Sequence, residues 1–371
     1  MNCDFYADLL HKMVAVPSQS GNEAGVAGLI GDALDSLGIR FSRLQNNIVA
    51  VNRCFDKSRP TLALDAHIDT VAPNNGYTRD PYDAGSDPDI IYGLGSNDDG
   101  GSVVSMMAAF RHFYDKSMPI NIMLVLTAEE ETSGPGGAAW LYSPEGPFAE
   151  GKDFAMPDWV IVGEPTGMQA ATSERGLLVL DALAEGVSAH AARGGGENAL
   201  YKALEDISIL RSHEFGRISP KMGKVHLNVT QIQAGTAHNV IPDRCSFVVD
   251  IRPTEQYSCE EILDELQSVC KSRLSARNLS HRSSATCEGS PLLRTAEALG
   301  IQTFTSPTTS NWMVLSGDAL KMGPGDSERS HRADEYLLRS ELEGAVSTYI
   351  DFISTFLWQL SGIKANPPHL Q

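Results

Sequence analysis

The run Ile120-Asn121-Ile122-Met123-Leu124-Val125-Leu126 contains a single polar side chain, and Glu129-Glu130-Glu131 closes it. A stretch this apolar fits a strand buried on both faces, as in the middle of a parallel sheet. Such a sheet needs helices on both sides, so this run constrains the fold class before any other segment is read. Three adjacent carboxylates at its end repel one another unless a cation sits among them or one of them holds a proton. An isolated acidic triplet usually faces water. The neighbouring segments change that reading.

Upstream, helical and extended signals alternate. Phe5, Leu9, Leu10 and Met13 recur at helical spacing before Pro17, and Val26, Leu29, Ile30, Leu34 and Leu37 mark a second helix within 21–37. Residues 47–52 and 61–66 read as strands, 72–91 as a loop rich in Pro, Gly, Asn and Asp, 100–114 as an apolar helix, and 120–127 and 159–162 as buried strands. This order predicts an α/β fold, a mostly parallel sheet with helices on both faces. Near Ser173 the texture changes. A strand at 176–186, a helix at 198–212, alternating strands at 224–233 and 244–251, an amphipathic helix at 259–274 and a last strand at 279–287 follow. That βαββαβ order is a ferredoxin-like layout, expected as an inserted lid and dimerisation domain over 173–288. The catalytic domain is then discontinuous, 1–172 and 289–371. Its second part shows a helix at 295–299, an extended segment at 313–315, a closing helix at 340–360 and a tail, 365–371, expected to be disordered.

The net charge of -18 argues against nucleic acid as a partner and against anionic membranes. No run approaches the length of a membrane span. The first residues show no basic stretch followed by a long apolar one. The 6 cysteines are scattered with no Cys-x-x-Cys pair, so the expectation is a cytoplasmic protein with reduced thiols.

Within the first domain, acids and histidines recur where strands end. The strand at 61–66 runs into His67-Ile68-Asp69. A glycine-rich turn, Gly93 to Gly101, delivers Asp98 and Asp99 to a helix start. The triplet follows the next strand, and Glu164-Pro165 follows 159–162. In open α/β sheets, sites form beyond the carboxyl ends of the strands. Singly, each piece has a plain alternative: a weak His-x-Asp, a helix cap, a strand-exit turn. Together His67, Asp98, Glu131, Glu164 and the late His331 supply five donors, with Asp98 able to bridge. That count fits two metals roughly 3.5 Å apart, zinc or alternatively cobalt or manganese. Asp69 shares a strand face with His67 and could hold the second imidazole nitrogen.

The assembled segments resemble the acetylornithine deacetylase, succinyl-diaminopimelate desuccinylase and aminoacylase family of two-metal amidohydrolases. The resemblance rests on His67-Ile68-Asp69-Thr70-Val71, Gly93 to Gly101, Thr127 to Ser133, Val162 to Thr166, Gly186 to His190, His238 to Pro242, and Gly323-Pro324-Gly325 with His331 and Glu335. It implies one metal on His67, Asp98 and Glu164 and a second on Asp98, Glu131 and His331. It implies Glu130 as general base and Glu131 as ligand; a shift by one would make these Glu129 and Glu130, and Thr132-Ser133 favours the first register. Asp69 is implied as a catalytic support. His190 is implied as an oxyanion donor reaching a partner subunit's site, hence a homodimer through the lid. Arg175, Asn239, Arg252, Gly323 and Gly325 are candidate substrate contacts. The chain departs from the family at Leu94 and Gly100, where Arg and Lys are usual, and at Asp99, where many members carry Met.

The activity implied is hydrolysis of the amide of a small N-acyl amino acid. Nα-acetyl- or Nα-succinylornithine comes first, in arginine biosynthesis. Desuccinylation of succinyl-diaminopimelate or dipeptide hydrolysis comes second, and a catalytically silent metal-binding scaffold is the reading outside the enzymes.

Overall fold

A computed structural model of the chain describes residues 3–151, 153–315 and 317–360. The tail at 365–371 lies outside them. Contacts divide the chain into two compact units: residues 1–172, 286–304 and 310–371, and residues 173–285 with 305–309.

In the first unit the sheet order is Ser42–Leu44, Asn47–Val51, Asn121–Thr127, Thr61–His67, Trp159–Val162 and Asp318–Lys321. The first two joins in this order are antiparallel and the next three parallel. All seven residues of Asn121–Thr127 are buried, and so are all seven of Thr61–His67. Successive side chains go to opposite faces. Leu62, Leu64, Ile122, Leu124 and Leu126 join the core formed with helices Cys3–Val14, Ala24–Ser36, Gly101–Phe113 and Arg339–Leu360. Ala63, Met123, Val125, Val160 and Ala319 join the other core, with Leu141, Tyr142, Phe148, Phe154 and Trp312. The apolar run at 120–126 is therefore a two-faced central strand, and the fold is the expected α/β architecture.

Three local expectations fail in this unit. Of the segment expected to be extended at 313–315, Met313 and Val314 lie in a 3-10 helix, Asn311–Val314, and Leu315 after it is extended. A buried acid explains the helix: Asn311 donates to Asp65 Oδ1 (2.9 Å) and to Thr127 Oγ1 (2.8 Å). Satisfying that carboxylate decides the backbone there. The loop expected at 72–91 ends in a strand, Ile90–Tyr92, which pairs antiparallel with Tyr336–Leu338. The helix expected at 21–37 begins later, as Ala24–Ser36.

The second unit has an antiparallel sheet in the order His226–Ala234, Arg244–Arg252, Leu178–Glu185, Arg273–Ala276. Helices Ala199–Ser212 and Cys259–Val269 pack on it, which gives βαββαβ in chain order. Burial alternates along Leu178–Glu185, as a sheet with one wet face requires. The expected helix end and last strand are both displaced. The helix stops at Val269 because Asp206 accepts the N–H groups of Lys271 (3.0 Å) and Ser272 (2.7 Å). The last strand of this sheet is then Arg273–Ala276; within 279–287 only Ser284–Ala285 is extended, and it pairs antiparallel with Ser173 and Glu174 instead. Asn278 breaks the chain after Ala276, its amide oxygen accepting from the Ser280 N–H and hydroxyl, both 2.7 Å.

Candidate metal centre

Parallel strands end on one edge, and the register makes these ends level. His67 lies beside Thr127, and Val162 lies beside Asp65 and Lys321. The chain segments that leave these ends carry the acids.

His67 is buried. Its Nδ1 lies 3.0 Å from the carbonyl oxygen of Asp69 and 3.5 Å from that residue's carboxylate. A carbonyl oxygen only accepts, so Nδ1 carries the proton. The lone pair on Nε2 of the neutral ring then faces Asp98 Oδ1 at 3.1 Å. Two acceptors do not hold this distance unless a proton or a cation lies with them. His331 repeats the arrangement, with Nε2 3.0 Å from Glu131 Oε2 and 3.8 Å from Asp98 Oδ2. Two metal bonds of about 2.1 Å at the tetrahedral angle span roughly 3.4 Å, close to these separations. Ligand atoms of His67, Glu130 and Glu164, and of His67, Asp98 and Glu131, lie within 4.8 Å of one another.

The three glutamates differ. Glu129 has φ +60°, and its carboxylate turns away to accept the Gly136 N–H (2.9 Å). Glu131 faces His331. Glu130 is half-buried beside His67 and Glu164, and its backbone is held by Asp69. That aspartate accepts the N–H groups of Glu130 (3.0 Å) and Glu131 (3.1 Å) and the Ser20 hydroxyl (2.6 Å). Asp69 thus meets the second imidazole nitrogen of His67 with its carbonyl at 3.0 Å and its carboxylate at 3.5 Å, and the same carboxylate also serves the glutamate turn.

Buried acids outnumber cations here. Burial pushes the Glu130 carboxyl up to about 8; the charges of Glu131, Asp69 and Asp98 add to this, and His67 opposes it. Burial raises Glu164 further, assisted by Asp98 and Glu130 and opposed by Lys321 and His67. Burial also puts Asp99 at about 8, and its Oδ1 has no hydrogen-bond partner. Burial would raise Asp98 as well, but His67, Ser330 and His331 outweigh it and hold this acid below its ordinary value. Burial lowers His67, and its contacts with Asp69 and Asp98 reverse the sign. Six carboxylates (Asp69, Asp98, Asp99, Glu130, Glu131, Glu164) thus surround two imidazoles and one lysine. That surplus of negative charge, with imidazole and carboxylate donors, fits divalent cations of the zinc, cobalt or manganese type.

The departures at 94 and 100 have steric reasons. Leu94 is buried at a small cavity that Met13, Val14, Val26 and Ile68 also line. A Cβ at Gly100 would collide with the Gly95 carbonyl oxygen and with Leu10, so no lysine fits on this backbone.

Several expected substrate contacts are already engaged. Gly323 donates its N–H to Thr166 Oγ1 (3.1 Å), and Gly325 accepts from the Gly167 N–H (2.7 Å). The Gly323 amide is therefore not open to a ligand, contrary to expectation. Arg175, His190, Asn239 and Arg252 belong to the second unit. Arg175 is buried and donates to the carbonyls of Lys224 (2.7 Å) and Met222, so it serves the backbone. Arg252 forms a two-point pair with Asp250 (2.9 and 3.1 Å). His190 and Asn239 are exposed and adjacent: His190 pairs with Val240 across a short ladder, and Ala191 donates to the Asn239 carbonyl (3.0 Å).

Sequence reasoning gave no role to Lys321, Asp65 or Glu335. Lys321 is 1% exposed at a strand end. Asp65 is fully buried and accepts from Tyr142 (2.7 Å) as well as from Asn311. The signal available was a charged residue inside an apolar strand, Leu64-Asp65-Ala66 and Leu320-Lys321-Met322.

A family model described as Peptidase family M20/M25/M40 matches residues 63–355. The chain is 28% identical over 276 residues to the uncharacterized protein YgeY of Escherichia coli (strain K12), covering 72% of this chain and 66% of that one, just under two thirds of its length. It is 24% identical to a succinyl-diaminopimelate desuccinylase of Xanthomonas campestris pv. campestris (strain B100), covering 93% and 97% of the two chains. An acetylornithine deacetylase of Buchnera aphidicola subsp. Schizaphis graminum is 25% identical, covering 76% and 77%. Among solved structures, the M20 family metallo-carboxypeptidase Sso-CP2 from Sulfolobus solfataricus superposes with a TM-score of 0.76 at 16% identity, covering 95% of this chain and 99% of that one.

Proposed function

The chain belongs to Peptidase family M20/M25/M40, and from that premise we propose that it is a two-metal hydrolase of the amide bond in a small N-acyl amino acid or peptide. The observation that carries this reading is the pair of imidazole–carboxylate contacts at 3.0–3.1 Å beside half-buried Glu130 and Glu164. His67, Asp98 and Glu164 would hold one cation, and Asp98, Glu131 and His331 the other. Two bound cations supply the charge that acidifies a water and polarises the scissile carbonyl. Glu130 takes the proton of the attacking water and returns it to the leaving amine. The geometry of the triplet supports this register, since Glu129 is occupied by the Gly136 amide. Asp69 keeps Glu130 and Glu131 in place through their backbone amides. His190 is the donor proposed for the oxyanion, with Asn239 beside it. Arg252 would bind a substrate carboxylate only by leaving Asp250, and Arg175 drops out of that role.

Nα-acetyl- and Nα-succinylornithine are the first substrates to test, and N-succinyl-diaminopimelate is the second reading. The relative named for the latter matches 97% of its own length. A metal-binding but silent scaffold is disfavoured by the intact Glu130. The test is metal content by mass spectrometry together with release of acetate, succinate or amino acid from these substrates and from dipeptides. Two metals with hydrolysis of one of them supports the reading; loaded protein that cleaves none of them overturns it.

A homodimer through the second unit is part of the same proposal. His226–Ala234 is an edge strand with an exposed face, and Ile232 on it is exposed. Tyr201, Leu204 and Ile209 on helix Ala199–Ser212 are exposed as well. An unpaired edge beside apolar side chains is a template for a second copy. Light scattering should report a dimer for the native chain and a monomer for Ile232→Lys.

A further inference from the structure

Two consecutive acids, Asp334 and Glu335, have no part in the mechanism above, yet they are among the most heavily engaged carboxylates of the first unit. Glu335 is 2% exposed. Its Oε1 accepts the backbone N–H groups of Asn97 and Asp98, both at 2.9 Å, and its carbonyl accepts the Gly93 N–H (2.8 Å). The carboxylate of Asp334 accepts from the N–H groups of Thr78 (2.9 Å) and Arg79 (3.1 Å) and from the Thr78 hydroxyl (2.6 Å). Asn74 donates to the carbonyl of His331 (3.2 Å). Residues 331–335 are therefore tied on one side to the loop 74–79 and on the other to the turn 93–98.

This segment needs such ties. His331 and Asp334 have φ of +59° and +57°, a region that side chains other than glycine rarely occupy. The His331 side chain is 55% exposed, so packing does not fix it. Asp98 sits in a turn rather than a strand, and Glu335 grips its amide directly. One buried carboxylate thus spans the interval between His331, four residues before it, and Asp98, whose N–H it binds.

We propose that Glu335 is a positioning residue for the cation assigned to Asp98, Glu131 and His331, setting the place of Asp98 relative to His331, with Asp334 anchoring the same segment. The inference rests on the two-metal reading, but it concerns only which cation is lost when the tie is cut. Removing an outer partner of a ligand typically weakens a metal site about 10–100-fold. Glu335 also stabilises the 93–98 turn as such, and a purely structural role would weaken both sites together.

The test is zinc titration of the full-length chain by calorimetry, with cobalt absorption spectra as a second readout. The native chain should take two ions. Both cations share Asp98, but only one also depends on His331 in the tied segment. Glu335→Ala should therefore weaken the His67–Glu164 site by no more than a few-fold and the other about 10–100-fold, with a cobalt spectrum like that of His331→Ala and unlike that of Glu164→Ala. Glu335→Gln keeps an acceptor oxygen for the two amides and should restore both sites. Asp334→Ala should shift the same site by less. Glu335→Ala binding both ions as the native chain does, or losing both equally, overturns the proposal, as does failure of Glu335→Gln to restore the site. A native chain that binds no pair of ions overturns the two-metal reading itself. Two ions bound without hydrolysis of any test substrate would refute that activity and leave the positioning role standing.

Discussion

His67 and His331 offer the same imidazole to the same set of acids, but their side chains are 2% and 55% exposed. His67 ends a strand flanked by two parallel strands and is held by the core around it. His331 lies in a loop at positive φ and is held by hydrogen bonds to Asn74 and Glu131. The difference teaches that one half of the centre is built by the fold and the other is fastened onto it. A ligand fixed by packing cannot be loosened without disturbing the sheet, whereas one fixed by a few hydrogen bonds can be removed by itself.

The largest expected effect tests whether the two halves serve one reaction. Glu130→Gln should lower kcat by about 10²–10⁴ with both metals retained; normal turnover would remove Glu130 from its role. Next, the halves should separate on mutation. His67→Ala should weaken metal binding by more than roughly 100-fold, beyond the range of an outer-shell change, and lower the unfolding temperature. His331→Ala should cost one ion and lower the unfolding temperature of the metal-free protein by less than His67→Ala does. Equal effects of the two variants on stability would break the comparison.

A smaller effect comes from pH. In the metal-free protein, Glu130, Asp99 and Glu335 are each raised to about 8 by burial. A raised carboxyl binds more protons folded than unfolded between its two pKa values, so stability falls as pH rises from about 4.5 towards 8. His331 is raised to about 9, mainly by its hydrogen bond to Glu131. Its contribution is present in full below about 6.5 and is lost as pH rises through 9. Thermal melts of metal-free protein should therefore decline from pH 5 to 9, and zinc should flatten that decline. A metal-free melt that rises over this interval would contradict the charge surplus. The smallest effect is Glu129→Gln, expected to change kcat less than about threefold, or ~0.6 kcal/mol; a loss as large as that of Glu130→Gln would move the register by one residue.

Much of the first unit was legible because its signals are local. The run 120–126, the strand 61–66 and the acids after them are read from neighbouring residues, and the structure brings those ends to one edge. His331 counts as a donor by residue type, but nothing local ties it to Glu131, 200 positions earlier, and its pairing with that residue comes from the resemblance. Arg175 and Gly323 were misjudged for a different reason. A guanidinium and an amide look available in a sequence, and only the fold shows that the Lys224 carbonyl and the Thr166 hydroxyl already use them. The 3-10 helix at Asn311–Val314 was missed likewise, because its cause is an aspartate far away in the chain.

By itself, then, the sequence determined which elements form and which donors stand at their ends, because periodicity and strand termination depend on adjacent residues. Only the tertiary structure decided which of several chemically alike groups faces the centre. Glu129, Glu130 and Glu131 are the same residue type in one turn. They diverge because the Gly136 amide takes one carboxylate, Asp69 fixes the backbone of the other two, and His331 arrives from the far end of the chain to meet the third.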